Sequence, residues 1–227
     1  MSGTGNDLSH AKQAILDAAA EVFAAEGYQK GTVAKICEKA GVNGAAVNYY
    51  FGSKESLYLE VWRDAWREAR RAYPLEPEED GLPAELRLGW FMRSLHMRVF
   101  DQGPAGRFAR LMAHEVIEPQ AFLIEEKEAV RAEHNSVLTP LTAELLGSGA
   151  SAQELLLCRL MVMTPSLGIA VRMFSRPQAR VGMAMLGLDS DQFAKKTSDF
   201  ALAGIGELRR QVRDRGSTTD EAGGETG

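Results

Sequence analysis

Between Thr32 and Lys54 the chain gathers side chains that can meet a nucleic acid. Hydroxyls, amides, three amines and several small residues sit there at helical spacing. Two short amphipathic segments flank a tight Ala40-Gly41-Val42-Asn43 turn. The aromatic run Tyr49-Tyr50-Phe51 follows, and Gly52-Ser53-Lys54-Glu55 opens another helix. A helix-turn-helix needs this order: a first helix that packs, a sharp turn, and a second helix that offers small and polar side chains to base edges. The pattern implies DNA binding.

Four elements must position those residues. The first helix is predicted from about Leu8 to Glu26, with Ala11, Ile15, Ala18, Ala19, Val22 and Phe23 on one apolar stripe and Gly27 as its stop. Thr32 caps the second, whose inward face is Val33, Ile36, Cys37 and Ala40. Asn43 caps a short third helix, Gly44 to about Phe51. Its periodicity turns Val47, Tyr50 and Phe51 inward and leaves Gly44, Ala45, Asn48 and Tyr49 outside. Ser53 caps the fourth, which carries Leu57, Tyr58, Val61, Trp62, Ala65 and Trp66 and runs to about Tyr73.

The breaker-rich segment from Pro74 to Pro83 leads to a second helical region with no strand-like alternation. Helices are predicted at 84–101, 105–117, 120–146, 152–174 and 190–213, broken at Gly103-Pro104, Pro119, 147–149 and Arg176-Pro177. The polar ends, 1–7 and 216–227, are expected to be disordered. The chain is therefore expected to be all-α, with about nine helices. A helix-turn-helix domain over 8–55 would precede a larger helical domain over 56–215.

Net charge is −5, and the region up to Trp62 has no arginine. Its lysines are Lys12, Lys30, Lys35, Lys39 and Lys54. No basic footprint marks this domain; the spacing of its residues does. Cys37 and Cys158 lie far apart in apolar helical patterns and are expected to be reduced core residues of a cytoplasmic protein. Residues 1–14 lack the basic start and apolar run of a signal peptide. The longest apolar stretch, 155–174, contains Arg159, Pro165 and Arg172, which argues for a buried or interface helix and against a membrane span.

Five ordered elements carry a family resemblance. They are Phe23-Ala24-Ala25-Glu26-Gly27-Tyr28, Thr32-Val33-Ala34-Lys35-Ile36, Ala40-Gly41-Val42-Asn43, Val47-Asn48-Tyr49-Tyr50-Phe51 and Ser53-Lys54-Glu55-Ser56-Leu57. Together they resemble the DNA-binding domain of the TetR family of bacterial regulators. The segment from His114 to Pro119 is similar to a CecR-like branch. The resemblance implies a homodimer through about 152–174 and 190–213, and middle helices that enclose a small-molecule effector pocket. It implies phosphate contacts from Thr32 and Lys54, and from Tyr50 or Tyr49 through a phenolic hydroxyl. Asn43 would touch phosphate while capping, and Gly44, Ala45, Asn48 and Tyr49 would face the groove. Asn48 suits adenine, and the Ala45 methyl suits a thymine methyl. Where many relatives carry Arg or Lys, Ala34 and Gly44 stand here.

On the effector side, polar residues interrupt apolar patterns. Arg93, His96, Met97, Phe100, Met112 and Glu115 are candidate pocket residues. The competing reading for Arg93, His96, Arg98, His114, Glu115 and Arg159 is ion pairing and packing between helices. The methionines, including Met183 and Met185, suit an adaptable pocket or simple core filling. No metal site is assigned, because His114-Glu115 has no second histidine one turn on. No cofactor is expected, and no motif of enzymatic catalysis is visible. The expected function is a homodimeric repressor, released from a near-palindromic operator by an effector. The competing one is a helical ligand-binding or interaction protein with weak or no DNA binding.

Overall fold

The computed structural model describes residues 4–175 and 187–223. Among them it holds nine α-helices and two 3₁₀ turns, and no strand. The helices are α1 (Thr4–Lys30), α2 (Val33–Ala40), α3 (Gly44–Phe51), α4 (Lys54–Ala72), α5 (Ala84–Phe100), α6 (Arg107–Ile117), α7 (Ile124–Leu146), α8 (Ala152–Ser175) and α9 (Ser190–Gly223). The predicted break at Arg176-Pro177, Met183 and Met185, and the outermost terminal residues lie outside the described residues.

Several limits differ from expectation. The α1 helix starts at Thr4 rather than Leu8, and α9 continues past 213 to Gly223, so helical backbone enters both predicted tails. The predicted helices at 105–117 and 120–146 each open with a 3₁₀ turn, Pro104–Gly106 and Ala121–Leu123. Pro104 has no N–H to give a helix and its φ is already helical, so it starts the tighter turn naturally.

The chain divides into two compact units. The first contains α1 to α4, the end of α5, α6, the start of α7 and the end of α8. Its core forms where the α1 stripe (Ile15, Ala19, Phe23) and the α4 stripe (Leu57, Tyr58, Val61, Trp62) are buried. Rings lock these together: Phe23 meets Tyr58 edge-on at 4.8 Å, and Trp62 meets Phe108 at 5.1 Å. Thus α4 and α6 belong to the same compact body as the helix-turn-helix.

The second unit is built on Leu88, Phe91, Met92, Leu138, Leu141, Leu145, Cys158, Val162 and Ile205. The connection from Pro74 is pinned to it, since Trp90 Nε1 and Ser94 Oγ both donate to the Pro74 carbonyl, at 3.0 and 2.6 Å. A capping box starts α8, with Ser151 N donating to Glu154 at 2.8 Å and Glu154 N to Ser151 Oγ at 3.3 Å. From Ala152 to Phe174, α8 is long and apolar enough to cross a membrane by length and composition. Its inner side is Cys158, Val162, Ser166 and Ala170, at i, i+4 spacing. Leu156, Leu157, Leu160, Met161 and Leu167 stand exposed on the rest, as does Phe200 on α9. Cys37 and Cys158 are free and buried, and burial pushes the Cys158 thiol up.

Candidate nucleic-acid interface

The recognition segment is held by a cap at each corner. Thr32 Oγ1 accepts from Lys35 N at 3.3 Å and starts α2. Gly41 closes α2 with φ 70°, a left-handed conformation that a side chain would strain. Val42 N then donates to the Cys37 carbonyl at 3.0 Å. Asn43 Oδ1 accepts from Ala46 N at 3.1 Å, and Ser53 Oγ from Ser56 N at 3.0 Å. Each cap satisfies an amide that the first turn of its helix cannot.

These caps set the rotation of α3. Val47 and Phe51 point into the core and are buried. Gly44, Ala45, Asn48 and Tyr49 are all exposed, and Tyr49 is 75% exposed. Tyr50 is half-buried rather than inward, with its ring edge-on to Tyr49 at 5.0 Å. The structure therefore gathers Asn43, Gly44, Ala45, Asn48 and Tyr49 on the exposed side of one short helix and its cap. Thr32 and Lys54 stand at the starts of α2 and α4.

Electrostatics at this surface are sparse. Lys35 pairs with Glu26 at 2.5 Å, Lys39 with Glu21 at 2.7 Å, and Lys12 with Glu60 at 3.3 Å. The Lys39 ammonium, hydrogen-bonded to Glu21, holds that carboxyl below its usual range. Lys54 Nζ lies 4.3 Å from the centre of the Tyr28 ring, and burial lowers its pKa. The sequence reading assigned Tyr28 no role. Its ring seats Lys54 and contacts Tyr58 at 5.1 Å and Phe122 at 5.0 Å. An aromatic placed just after the helix-ending Gly27 was the only signal available for it. Gly27 itself has φ 78° and interrupts α1, and a Cβ there would lie 3.0 Å from His114 Nδ1.

Behind this surface, Tyr58 OH donates to Glu115 Oε1 at 3.3 Å. Glu115 Oε2 accepts from Gln120 N at 2.9 Å and Lys127 Nζ at 3.2 Å. Burial first, and then the Glu115 carboxylate, hold the Tyr58 phenol well above its ordinary value.

The candidate effector residues divide between the units. Phe100, Met112 and Glu115 belong to the first, and Arg93, His96 and Met97 to the second. Arg93 pairs with Asp191 at 2.7 Å on the exterior. His96 is fully buried. Its Nδ1 is 2.6 Å from the Met92 carbonyl, its ring lies against Phe193, and burial lowers its pKa. Of the other polar residues, Arg98 donates to the Tyr73 carbonyl at 2.6 Å and stacks on Trp66, and Arg159 donates to Thr139 at 2.7 Å.

A capped helix-turn-helix followed by a helical second region defines the class of one-chain bacterial regulators. Residues 15–61 match the model for bacterial regulatory proteins of the tetR family. Residues 84–205 match the C-terminal domain of the HTH-type transcriptional dual regulator CecR, which is more than half of the chain. The chain belongs to the TetR family of transcriptional regulators, with a C-terminal region of the CecR type.

Among curated relatives, the regulator RutR of Escherichia coli (strain K12) is 39% identical over 69 residues, which are 29% of this chain. The chain spans only 32% of RutR's length. CecR of Shigella flexneri is 28% identical over 158 residues, 65% of this chain and 70% of that protein. Among solved structures, FadR from Bacillus subtilis, in complex with stearoyl-CoA, superposes with a TM-score of 0.61 at 18% identity. The match covers 85% of this chain and 98% of FadR. A TetR-like regulator from Rhodococcus sp. RHA1 gives 0.60 at 19% identity, over 86% and 96%. These likenesses show a shared fold.

Proposed function

We propose that the chain is a homodimeric, sequence-specific DNA-binding repressor whose paired α3 helices enter successive major grooves of a near-palindromic operator. The observation that carries this reading is the exposed Gly44-Ala45-Asn48-Tyr49 side of α3, held between capped ends by its buried Val47 and Phe51. Thr32, Asn43, Tyr50 and Lys54 supply the backbone contacts, with Lys54 already seated on Tyr28. The exposed leucines of α8 and Phe200 of α9 support a partner helix pair, which would bury them against a second copy. Arg159, engaged by Thr139, and the inner row of α8 favour this over a membrane span.

A small-molecule effector would bind better to a conformation with wrongly spaced α3 helices and shift the population off DNA. Within the second unit, Arg93, His96 and Met97 are its candidate contacts. Glu115 is better read as structural, since Tyr58, Gln120 and Lys127 occupy its carboxylate. This regulator works in the cytoplasm, requires no catalysis, and takes no cofactor.

A second reading is favoured by one observation. Lys12, Lys35 and Lys39 are engaged by carboxylates of the first unit, which weakens the phosphate term and suits an interaction module with feeble DNA binding. Binding-site selection with purified protein on fragmented genomic DNA, retested across a salt series, separates the two. Recovery of a two-half-site near-palindrome supports the repressor. No enrichment at low salt by a folded dimer supports the interaction module.

A further inference from the structure

The first unit contains a cavity of about 490 Å³ that none of the DNA-contact or effector candidates lines. Its walls include Glu21 and Ala24 of α1, Pro104 of the 3₁₀ turn before α6, Arg107 and Arg110 of α6, and Phe174 of α8.

The floor is a fixed loop. Asp101 Oδ1 accepts from Gly103 N at 2.6 Å and Gly106 N at 3.2 Å, and Oδ2 accepts from Tyr73 OH at 2.8 Å. A Cβ on Gly106 would lie 1.9 Å from the Asp101 carbonyl oxygen, so the backbone there closes too tightly for any other residue. Arg110 is held by this loop, donating to the Asp101 and Gly103 carbonyls at 3.0 Å each, with its guanidinium 6.0 Å from the Phe174 ring centre. A guanidinium positioned in advance spends little entropy on a ligand.

Arg107 is the second cation of the wall, and its side chain is only 20% exposed. Its nearest carboxylate, Glu21, stands 4.0 Å away and is already bonded to Lys39 at 2.7 Å. Arg107 thus shares its carboxylate with Lys39, and Arg110 stands one helical turn on in the same lining. The same lining includes the apolar side chains of Ala24, Pro104 and Phe174. The volume falls in the range that encloses small molecules.

We propose that this cavity binds a small organic anion, a carboxylate on a flat apolar body. The carboxylate would sit on Arg107 beside Arg110, and the body would lie between Phe174 and the Ala24 surface. Binding would replace Glu21 as the partner of Arg107, so occupancy would be felt directly by α1. The inference rests on this geometry and stands independently of the DNA-binding reading.

The test uses the full-length protein, 2-naphthoate as probe, and its neutral twin 2-naphthamide, read by saturation-transfer NMR and calorimetry without DNA. The expected result is saturable naphthoate binding, weakened about tenfold or more in Arg107→Gln and largely restored in Arg107→Lys. Phe174→Leu weakens it by a smaller factor, and 2-naphthamide binds poorly. Thermal melts confirm that each variant is folded. Three results would overturn the proposal: no saturable binding by the folded wild type, equal binding of naphthoate and naphthamide, or undiminished binding in Arg107→Gln. The last places the probe elsewhere, for instance on the exposed leucines of α8.

Discussion

Replacing Glu115 by alanine tests whether the buried carboxylate behind the recognition segment holds it in place. The Glu115 side chain is 2% exposed and accepts three hydrogen bonds, from Tyr58 OH, Gln120 N and Lys127 Nζ. Truncation leaves the fully buried Tyr58 hydroxyl without its acceptor, which costs about 1–3 kcal/mol. Gln120 is half-buried, so its N–H turns partly to water and loses about 0.5–1.5 kcal/mol. The Lys127 side chain is 29% exposed and can relax outward. The roughly 3–5 kcal/mol typical of breaking a fully buried pair therefore does not apply in full. The expected loss is about 2–4 kcal/mol in urea unfolding followed by circular dichroism at fixed protein concentration. Glu115→Gln keeps an acceptor and the shape, and should lose less. Adding Tyr58→Phe to Glu115→Ala removes the stranded hydroxyl and should recover about 1 kcal/mol. A Glu115→Ala protein within 0.5 kcal/mol of wild type, or no recovery on adding Tyr58→Phe, would refute the reasoning.

Four further outcomes follow from the same geometry. Asn48→Ala should relax base choice at one operator position and cost about 1–3 kcal/mol, measured by binding to operator variants; an unchanged preference removes Asn48 from base reading. Gly44 has an open surface around its Cα, so Gly44→Arg should fold and add one phosphate contact, steepening the slope of log K against log salt by about 0.9. An unaltered slope would show that the start of α3 does not approach the backbone. Leu160→Asp combined with Phe200→Asp should yield a monomer in light scattering, since these side chains are 55% and 83% exposed in one chain; a persistent dimer would place the interface elsewhere. Finally, burial lowers the pKa of His96, so the folded state binds fewer protons than the unfolded one. The stability tied to its neutral ring is full above the ordinary histidine value of about 6.5 and is lost as pH falls through the lowered folded value. The drop in urea midpoint from pH 7.5 to 5.5 should be smaller in His96→Gln, which leaves the other three histidines in place; an equal drop would assign it to them.

Much of the local structure was legible in the sequence because its causes are local. Caps are decided by a residue and its neighbours three positions on, so Thr32, Asn43 and Ser53 declared the starts of α2, α3 and α4. Glycine's freedom at positive φ declared the Gly41 turn. Apolar spacing declared the buried rows Ile15-Ala19-Phe23 and Leu57-Val61-Trp62, and the outward set Gly44, Ala45, Asn48 and Tyr49. The ordered motifs sufficed to suggest the family. Tertiary structure decided who meets whom. The sequence shows Lys35 and Lys39 only as two of its few N-terminal cations; the fold sets Glu26 and Glu21 of α1 against them. Glu115 reads as a polar break in an apolar row, yet its partners come from α4, the loop after α6, and α7. Lys54 finds Tyr28, Arg107 finds Glu21, and Arg110 finds a fixed loop and Phe174. Some of these pairings span long stretches of chain, as Tyr58 with Glu115 does, and the shorter ones still join a helix to a different helix or loop. Helical periodicity assigns a side to each residue, but only the packing of one helix on another places a particular partner across from it.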